Sequence, residues 1–231
     1  MIPVRCVLAE WQLVRARLLR SRLGLWLLLL AAGGAWLALR TAGAAGLTPL
    51  ALRVGMLGAI LCVAFCAGAD ADRAALALTL THPTTPAAVA VGRWLAAVSA
   101  ATIATLAAVI AVAGLTDATG WAVVRAALAG VGAAGAAAAC ALPSVWLGGN
   151  ALAGVLFVYI AGLSAIPPAA LRDWVALAPL RDIGIAVLEL APSLWRYRAL
   201  ATGDVGAWLH AVGWTVIGVV LASVVVRKRA W

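Results

Sequence analysis

The chain has 231 residues, of which 66% are hydrophobic and 11% charged, whereas soluble domains carry about 45–50% apolar and about 25% charged residues. This composition excludes an ordinary soluble domain and predicts a membrane protein. The formal charge of +9 would suit nucleic acid if it formed one solvated face, but the arginines stand in short clusters at the edges of apolar blocks. We therefore expect no nucleic-acid partner and assign the charge to membrane topology.

Residues 3–22 predict an amphipathic helix that lies in the membrane interface. Its apolar residues recur at helical spacing, whereas the polar residues Arg5, Glu10, Gln12, Arg17 and Arg20 fall mostly elsewhere on the helix. The apolar positions are Val4, Val7, Leu8, Trp11, Val14 and Leu18. A cleaved signal peptide is the alternative, because arginines precede a leucine run. The long charged region with its own apolar stripe favours an uncleaved anchor.

Six apolar segments have the ~20 residues needed to cross ~30 Å of hydrocarbon. They are approximately Leu23–Leu39, Leu50–Ala69, Leu95–Leu115, Trp121–Leu142, Val145–Ile166 and Val205–Val226. Arg53, in the opening part of the second segment, is expected to reach toward the headgroups. The predicted fold is therefore an all-α, polytopic membrane protein with six transmembrane helices, forming a single transmembrane domain over residues 1–231.

The basic residues predict the orientation of these spans. If the N-terminus is cytoplasmic, ten of the seventeen basic residues lie inside, including the clusters before the first span and after the last. We therefore expect a multi-pass protein of the bacterial inner membrane with both termini in the cytoplasm. Tryptophans near the predicted span ends, Trp146 among them, are typical of an aromatic belt.

Residues 167–204 predict short helices that dip into or lie on the outer face, broken by Pro179 and Pro192. A seventh span over Trp174–Ala191 is disfavoured because it would bury a proline and three charged residues in the membrane. These are Pro179, Arg181, Asp182 and Glu189. A solvated linker is the remaining alternative, and the density of Leu, Ile and Trp argues against it.

Enzyme and cofactor motifs give no positive prediction. GVGAAG at Gly130–Gly135 matches the dinucleotide pattern, but it lies inside an apolar segment without an acidic residue about 20 positions on. We predict instead that these glycines let another helix approach closely. Cys62 and Cys66 share a helix face, yet buried apolar thiols are commoner than metal ligands at this spacing. No P-loop, nucleophile elbow or HExxH occurs, so we expect no catalytic residue, cofactor or metal.

A polar interruption follows the second predicted span, in the sequence DADRAALALTLTHPTTPAAVAVGRW at residues 70–94. Asp70 can cap a short helix over 70–82, and Pro83 prevents that helix from continuing far. Thr85 and Pro86 form an N-cap and N1 pair, which predicts a new helix that runs into the third span. The result is a compact charged helix between two membrane helices on the cytoplasmic side.

This pattern of acid, x, acid, Arg, then spaced leucines, then x-Pro and Gly-Arg-x-Leu resembles the intracellular loop of the ABC-2 type permeases, the membrane subunits of ABC transporters. The resemblance implies that the helix over 70–82 is a coupling helix that docks on a separate ATPase subunit. By the same resemblance, one group of residues makes the contact and a second group shapes the return into the membrane. The contact residues are Asp70, Asp72, Arg73, Leu76, Leu78 and Leu80; the second group is Pro83, Gly92 and Arg93.

The resemblance further implies a half-transporter that pairs with a second permease copy, identical or related, and with cytoplasmic ATP-binding subunits. Export of a hydrophobic or amphipathic substrate is expected, with no bond chemistry in this chain. An ATP-independent channel or secondary carrier is the first alternative, disfavoured because the spans hold almost no ionisable side chains. A non-transporting membrane assembly factor is the second.

Overall fold

The computed structural model describes residues 4–20, 22–67 and 85–230, and these ranges contain helices and connecting turns without a β-strand. The helices are α1 (Val4–Arg20), α2 (Leu23–Thr41), α3 (Leu47–Ala67), α4 (Pro86–Ala113), α5 (Gly120–Ala161), α6 (Pro168–Trp174), α7 (Ala178–Leu190), α8 (Leu194–Tyr197) and α9 (Val205–Ala230). Within the described ranges, five helices are long and apolar enough to cross a membrane: α2, α3, α4, α5 and α9. The all-α prediction is confirmed, whereas two of the six predicted spans fall within the single element α5.

α3 forms the centre of the bundle because small residues let its backbone meet that of α5. A Cβ atom built on Gly55 would lie 2.5 Å from the carbonyl oxygen of Gly130. A Cβ on Gly130 would in turn lie 2.8 Å from the carbonyl oxygen of Ala51 and 2.8 Å from Thr105 of α4. In a bilayer such close approach replaces the hydrophobic driving force that water would supply. The predicted packing role of Gly130 is confirmed.

Pairs of contacts fix the directions of the helices. Arg93 at the start of α4 lies against Trp146 of α5, and Thr105 lies against Gly130, so α4 and α5 run in opposite directions. α9 runs in the same direction as the first part of α5, because Gly132 meets Trp208 and Gly135 lies beside Thr215.

α3 is antiparallel to α4 by the same reasoning, since Gly58 meets Ala101 while Ala51 and Thr105 both meet Gly130. The turn at Gly43–Gly46 joins α2 to α3, and α3 runs antiparallel to α2. The start of α2, the end of α3, the start of α4 and the end of α9 therefore share one end of the bundle. We call it the near end, and the opposite end the far end.

α5 contains a break at Gly148 and Gly149, where the backbone leaves helical geometry. Gly149 has φ 64° and ψ −160°, a conformation that essentially only glycine adopts. Gly130 lies beside Gly55 of α3, and a straight helix would place Phe157 about 40 Å further along, yet Phe157 lines one groove with Ile60 of α3. The chain therefore turns back on itself at the break, and α5 consists of a long first arm and a short second arm.

The predicted boundary between the fourth and fifth spans, at Pro143 and Ser144, is wrong because the helix continues through both residues. Proline leaves the carbonyl of the residue four positions earlier without its helical partner, here Ala139. The backbone of α9 lies directly against this carbonyl at Gly218. The carbonyl that the proline leaves free is therefore covered by protein.

The region after α5 contains the predicted short helices, but Pro179 does not break one. It lies in the first turn of α7, where a missing N–H costs no hydrogen bond, whereas Pro192 follows the end of that helix. α6 has no buried residue. The segment that enters the bundle is α8 with the following 3-10 turn, whose Leu194, Tyr197 and Leu200 are buried.

The glycine contact between α3 and α5 gives a first prediction. Replacing Gly130 by Ala should destabilise the chain by about 1–3 kcal/mol, because the new methyl group meets the backbone of Ala51 and the short, β-branched side chain of Thr105, neither of which is flexible. Thermal unfolding in detergent measures this change. The matched control is Gly213→Ala in α9, where nothing lies within 4 Å of the added Cβ. An equal effect of both substitutions would contradict the proposed backbone contact.

Candidate functional site

The predicted coupling helix lies outside the residues that the structure describes. Nine residues were assigned to coupling with the ATPase subunit, and seven of them lie in this undescribed part of the chain, so their roles remain predictions. These are Asp70, Asp72, Arg73, Leu76, Leu78, Leu80 and Pro83. The other two, Gly92 and Arg93, lie in the second and third turns of α4 at the near end. What surrounds them can be described atom by atom.

α4 begins as the sequence predicts. Thr85 has an extended backbone, and its hydroxyl accepts a hydrogen bond of 3.2 Å from the amide of Ala88, while Pro86 follows as the first helical residue. This cap supplies a partner to one of the amides that a helix start leaves unbonded. The hydrogen bond at Thr85 therefore fixes where the polar interruption ends and α4 begins.

Gly92 is the place where α1 lies directly on α4. A Cβ at Gly92 would lie 2.6 Å from the Cβ of Glu10 and 3.0 Å from the carbonyl oxygen of Val7. Only glycine permits this separation, so the sequence motif Gly-Arg has a packing requirement at its first position.

Arg93 forms a buried ion pair with Glu10. Its Nε lies 3.8 Å from the carboxylate Oε2, and the two side chains are 1% and 7% exposed. The expectation that Glu10 lies with the polar side chains of α1 is wrong. The face of α1 that meets the bundle carries Glu10 and Val14, whereas Val4, an expected member of the apolar stripe, is 71% exposed. Helical periodicity did not predict this ion pair, because Arg93 lies 83 positions after Glu10 in the sequence.

Trp146 joins the same cluster from α5. The guanidinium carbon of Arg93 lies 5.5 Å from the centre of the Trp146 ring, within the range of a cation–π interaction. Trp146 is fully buried, so its assignment to an aromatic belt is wrong. It stands two residues before Gly148, the first residue of the break in α5. Arg93 therefore connects α1, α4 and the break.

A second contact between α1 and α4 reinforces the first. The indole Nε1 of Trp11 donates a hydrogen bond of 3.2 Å to the hydroxyl of Ser99. The guanidinium of Arg15 in turn lies 5.4 Å from the Trp11 ring centre. We call the set Glu10, Trp11, Gly92, Arg93 and Trp146 the latch. It fixes an amphipathic helix to the start of a membrane helix.

An apolar groove lies between α3 and the second arm of α5. Its volume is about 460 Å³, and it is lined by Ile60, Leu61, Ala64, Phe65, Asn150, Ala153, Gly154, Phe157 and Val158. Asn150 supplies the amide at the start of the second arm. A groove of this size is within the range of small-molecule sites, about 300–1,000 Å³.

The far end holds a polar cluster that sequence reasoning did not find. His210 Nε2 lies 3.0 Å from the carbonyl oxygen of Leu190, which can only accept, so Nε2 carries the proton and Nδ1 accepts from the Tyr197 hydroxyl at 3.2 Å. Burial raises the pKa of Tyr197 well above its ordinary value, which keeps that hydroxyl protonated. Trp214 donates to the same Leu190 carbonyl at 2.6 Å. The cluster ties the end of α7 to α9.

Within the described part of the chain, no three His, Cys, Asp or Glu side chains lie together in a way that could hold a metal ion. Cys62 and Cys66 are both buried in α3.

No protein-family model matches this chain, and no curated protein matches it either.

The latch gives a second prediction. Glu10→Gln and Arg93→Met should each lower the free energy of unfolding by about 3–5 kcal/mol, because each leaves a buried charge without its partner. The double variant E10Q/R93M should lose less than the sum of the two single changes. Denaturant unfolding in detergent measures the free energy of unfolding of each variant. Proteolysis of α1 measures whether α1 stays attached to the bundle.

Asp182→Asn is the control for this experiment, since its pair with Arg181 is largely exposed, at 33% and 69%. Exposed pairs contribute about 0–1 kcal/mol, so little change is expected. If E10Q behaves like D182N, the latch does not hold α1 in place.

Proposed function

We propose that this chain is the permease subunit of an ATP-binding cassette transporter, which uses ATP hydrolysed by a separate cytoplasmic subunit. The observation that carries the proposal is the latch. The residues that resemble a coupling helix immediately precede α4, and the latch joins the start of α4 to two other elements of the bundle. If an ATP-binding subunit moves residues 70–82, a rigid attachment of this kind is needed to transmit the movement to the membrane helices.

Force applied to residues 70–82 would enter α4 at the Thr85 cap. Arg93 lies about two turns further on, and α1 is held there by a buried ion pair. Separating such a pair costs about 3–5 kcal/mol, so α1 and the start of α4 would move as one body. Trp146 would carry that movement to α5.

The break in α5 is a suitable place for this movement to be absorbed. Gly148 and Gly149 already have non-helical backbone geometry, and glycine can absorb large changes of φ and ψ. The second arm and the groove beside it follow the break directly. In the proposed mechanism, ATPase closure tilts the first arm and thereby changes the access of the groove.

The proposed chain path has six membrane passes, with the second arm of α5 returning toward the far end. α5 and α9 run in the same direction, so the chain must return between them. Both termini and residues 70–82 then share the cytoplasmic side, as the basic residues favour. The location proposed is the bacterial inner membrane.

The apolar lining of the groove supports a hydrophobic or amphipathic substrate, and export is the proposed direction. Outward-facing apolar side chains cover α2 and α9, for example Leu28 at 66% and Leu209 at 69% exposure. Lipid would cover part of this surface in the bilayer. The proposed assembly is a pair of permease chains, identical or related, with two ATP-binding subunits.

A triple substitution in the proposed coupling helix tests the function. D70N/D72N/R73Q should abolish both co-purification with the ATP-binding subunit and ATP-dependent transport in proteoliposomes, because it removes the charges assigned to docking. R172Q/D173N in α6 is the control, since it changes charges at the far end and should leave both properties unchanged.

Retention of the complex and of ATP-dependent transport by the triple variant would refute the coupling role. Flux through liposomes that contain this chain alone would favour a channel or secondary carrier. Failed assembly of another membrane protein without any change in flux would favour an assembly factor.

The proposed orientation gives a separate prediction. In a variant without the native cysteines, a cysteine at Thr202 in the far-end turn should react with a membrane-impermeant maleimide on intact cells. A cysteine at Ala74 should react only after lysis. Mass spectrometry of the labelled chain measures both reactions, and the reverse labelling pattern would place residues 70–82 outside the cytoplasm and so contradict the mechanism.

A further inference from the structure

A cavity at the far end brings together two arginines from distant parts of the sequence. It has a volume of about 340 Å³ and lies between the end of α2, the start of α3 and the 3-10 turn Arg198–Thr202. Arg53 of α3 and Arg198 both line it. The groove discussed above is a different space with different lining residues.

Arg53 is a charged residue within a helix that is long and apolar enough to span a membrane. It is the seventh residue of α3, about 9 Å along the axis from the first, its side chain is exposed on the surface of the chain, and the helix is otherwise uncharged. Charged side chains within membrane helices are rare, and they usually mark a functional position with an identifiable partner. In the described part of the chain, no hydrogen bond or ion pair satisfies the guanidinium of Arg53 or that of Arg198.

The surroundings of the cavity favour an anion. Among the described residues, no Asp or Glu lines it. The first turn of α3 also contributes Pro49 and Leu50 to the wall, so the positive end of that helix lies beside the same space. Thr41 already donates its hydroxyl to the carbonyl oxygen of Leu37 at 2.8 Å. The two guanidinium groups are therefore the side-chain donors left for a ligand.

The remaining wall is apolar and continues into the membrane along α2. Gly34, Leu37, Ala38 and Leu50 line it, and Gly34 brings α2 close enough to α3 that a Cβ there would lie 2.8 Å from Leu50. A ligand that fits both parts has an anionic head and an apolar tail. A small soluble anion would leave the apolar wall without a contact.

We propose that this cavity binds the phosphate headgroup of an anionic phospholipid, with Arg53 and Arg198 as the ligating residues and the acyl chains along α2. Arginine suits this role because its planar group can form two parallel hydrogen bonds with phosphate oxygens. The site requires only a bilayer around the chain, so it stands or falls independently of any ATP-binding partner.

The test uses the purified full-length chain alone, titrated in detergent micelles with phosphatidylglycerol or with zwitterionic phosphatidylcholine. Native mass spectrometry counts the bound lipid. The wild type should bind phosphatidylglycerol roughly tenfold or more tightly than phosphatidylcholine, as two charge-assisted contacts predict. R53Q/R198Q should bind both lipids equally. R125Q, which removes one far-end arginine that lies over Trp121 instead of in the cavity, should keep the preference.

If the double variant does not fold, the single variant R198Q, which changes a residue on a surface turn, supplies the same test. It should reduce the preference for phosphatidylglycerol over phosphatidylcholine at least threefold. Retention of the full preference by R198Q and the double variant would overturn the proposal. So would an equal loss in R125Q, which would indicate non-specific charge. Competition by millimolar inorganic phosphate that displaces the lipid completely would assign the site to a free anion and reject the lipid.

Discussion

The contact between the backbones of α3 and α5 is the constraint on which the other helix positions depend. Inside a bilayer, helices gain little from hiding apolar side chains from one another, so surface fit decides which pairs associate. Gly55 and Gly130 remove the side chains from the crossing point, and Thr105 brings α4 to the same place. Once these three helices are fixed, α2 and α9 pack at the periphery, where many of their apolar side chains remain outward-facing.

Polar chemistry in this molecule is concentrated at the two ends of that apolar core. At the near end, Glu10, Arg93 and Trp146 join three elements within one buried cluster. At the far end, Tyr197, His210 and Trp214 hold the end of α7. The far-end cluster satisfies its polar atoms by hydrogen bonds, whereas the near-end cluster balances its buried charges by an ion pair and leaves the indole N–H of Trp146 without a hydrogen bond among the described residues. The near-end cluster thus holds α1, α4 and α5 together, the far-end cluster holds α7, α8 and α9 together, and the helix surfaces between the two clusters are largely apolar.

Local chemistry made part of this architecture predictable. Hydropathy located the apolar helices, and the Thr85–Pro86 cap was readable because its two residues are adjacent. The latch was not, since helical periodicity assigns Glu10 to a solvated face unless the distant Arg93 is known to be its partner. Pro143 suggested a turn in α5 for a similar reason: the sequence does not show that Gly218 of α9 packs against the carbonyl of Ala139, and the helix leaves helical geometry only at Gly148.

The turn inside α5 has a consequence for how the chain enters the bilayer. Between Arg125 and Arg172 there is no Lys, Arg, Asp or Glu, and the stretch Gly120–Ala165 is 46 residues long. Charged loops normally instruct the insertion machinery where one helix stops and the next begins. This stretch carries no such instruction, and the position of its turn is set instead by the backbone of Gly148 and Gly149.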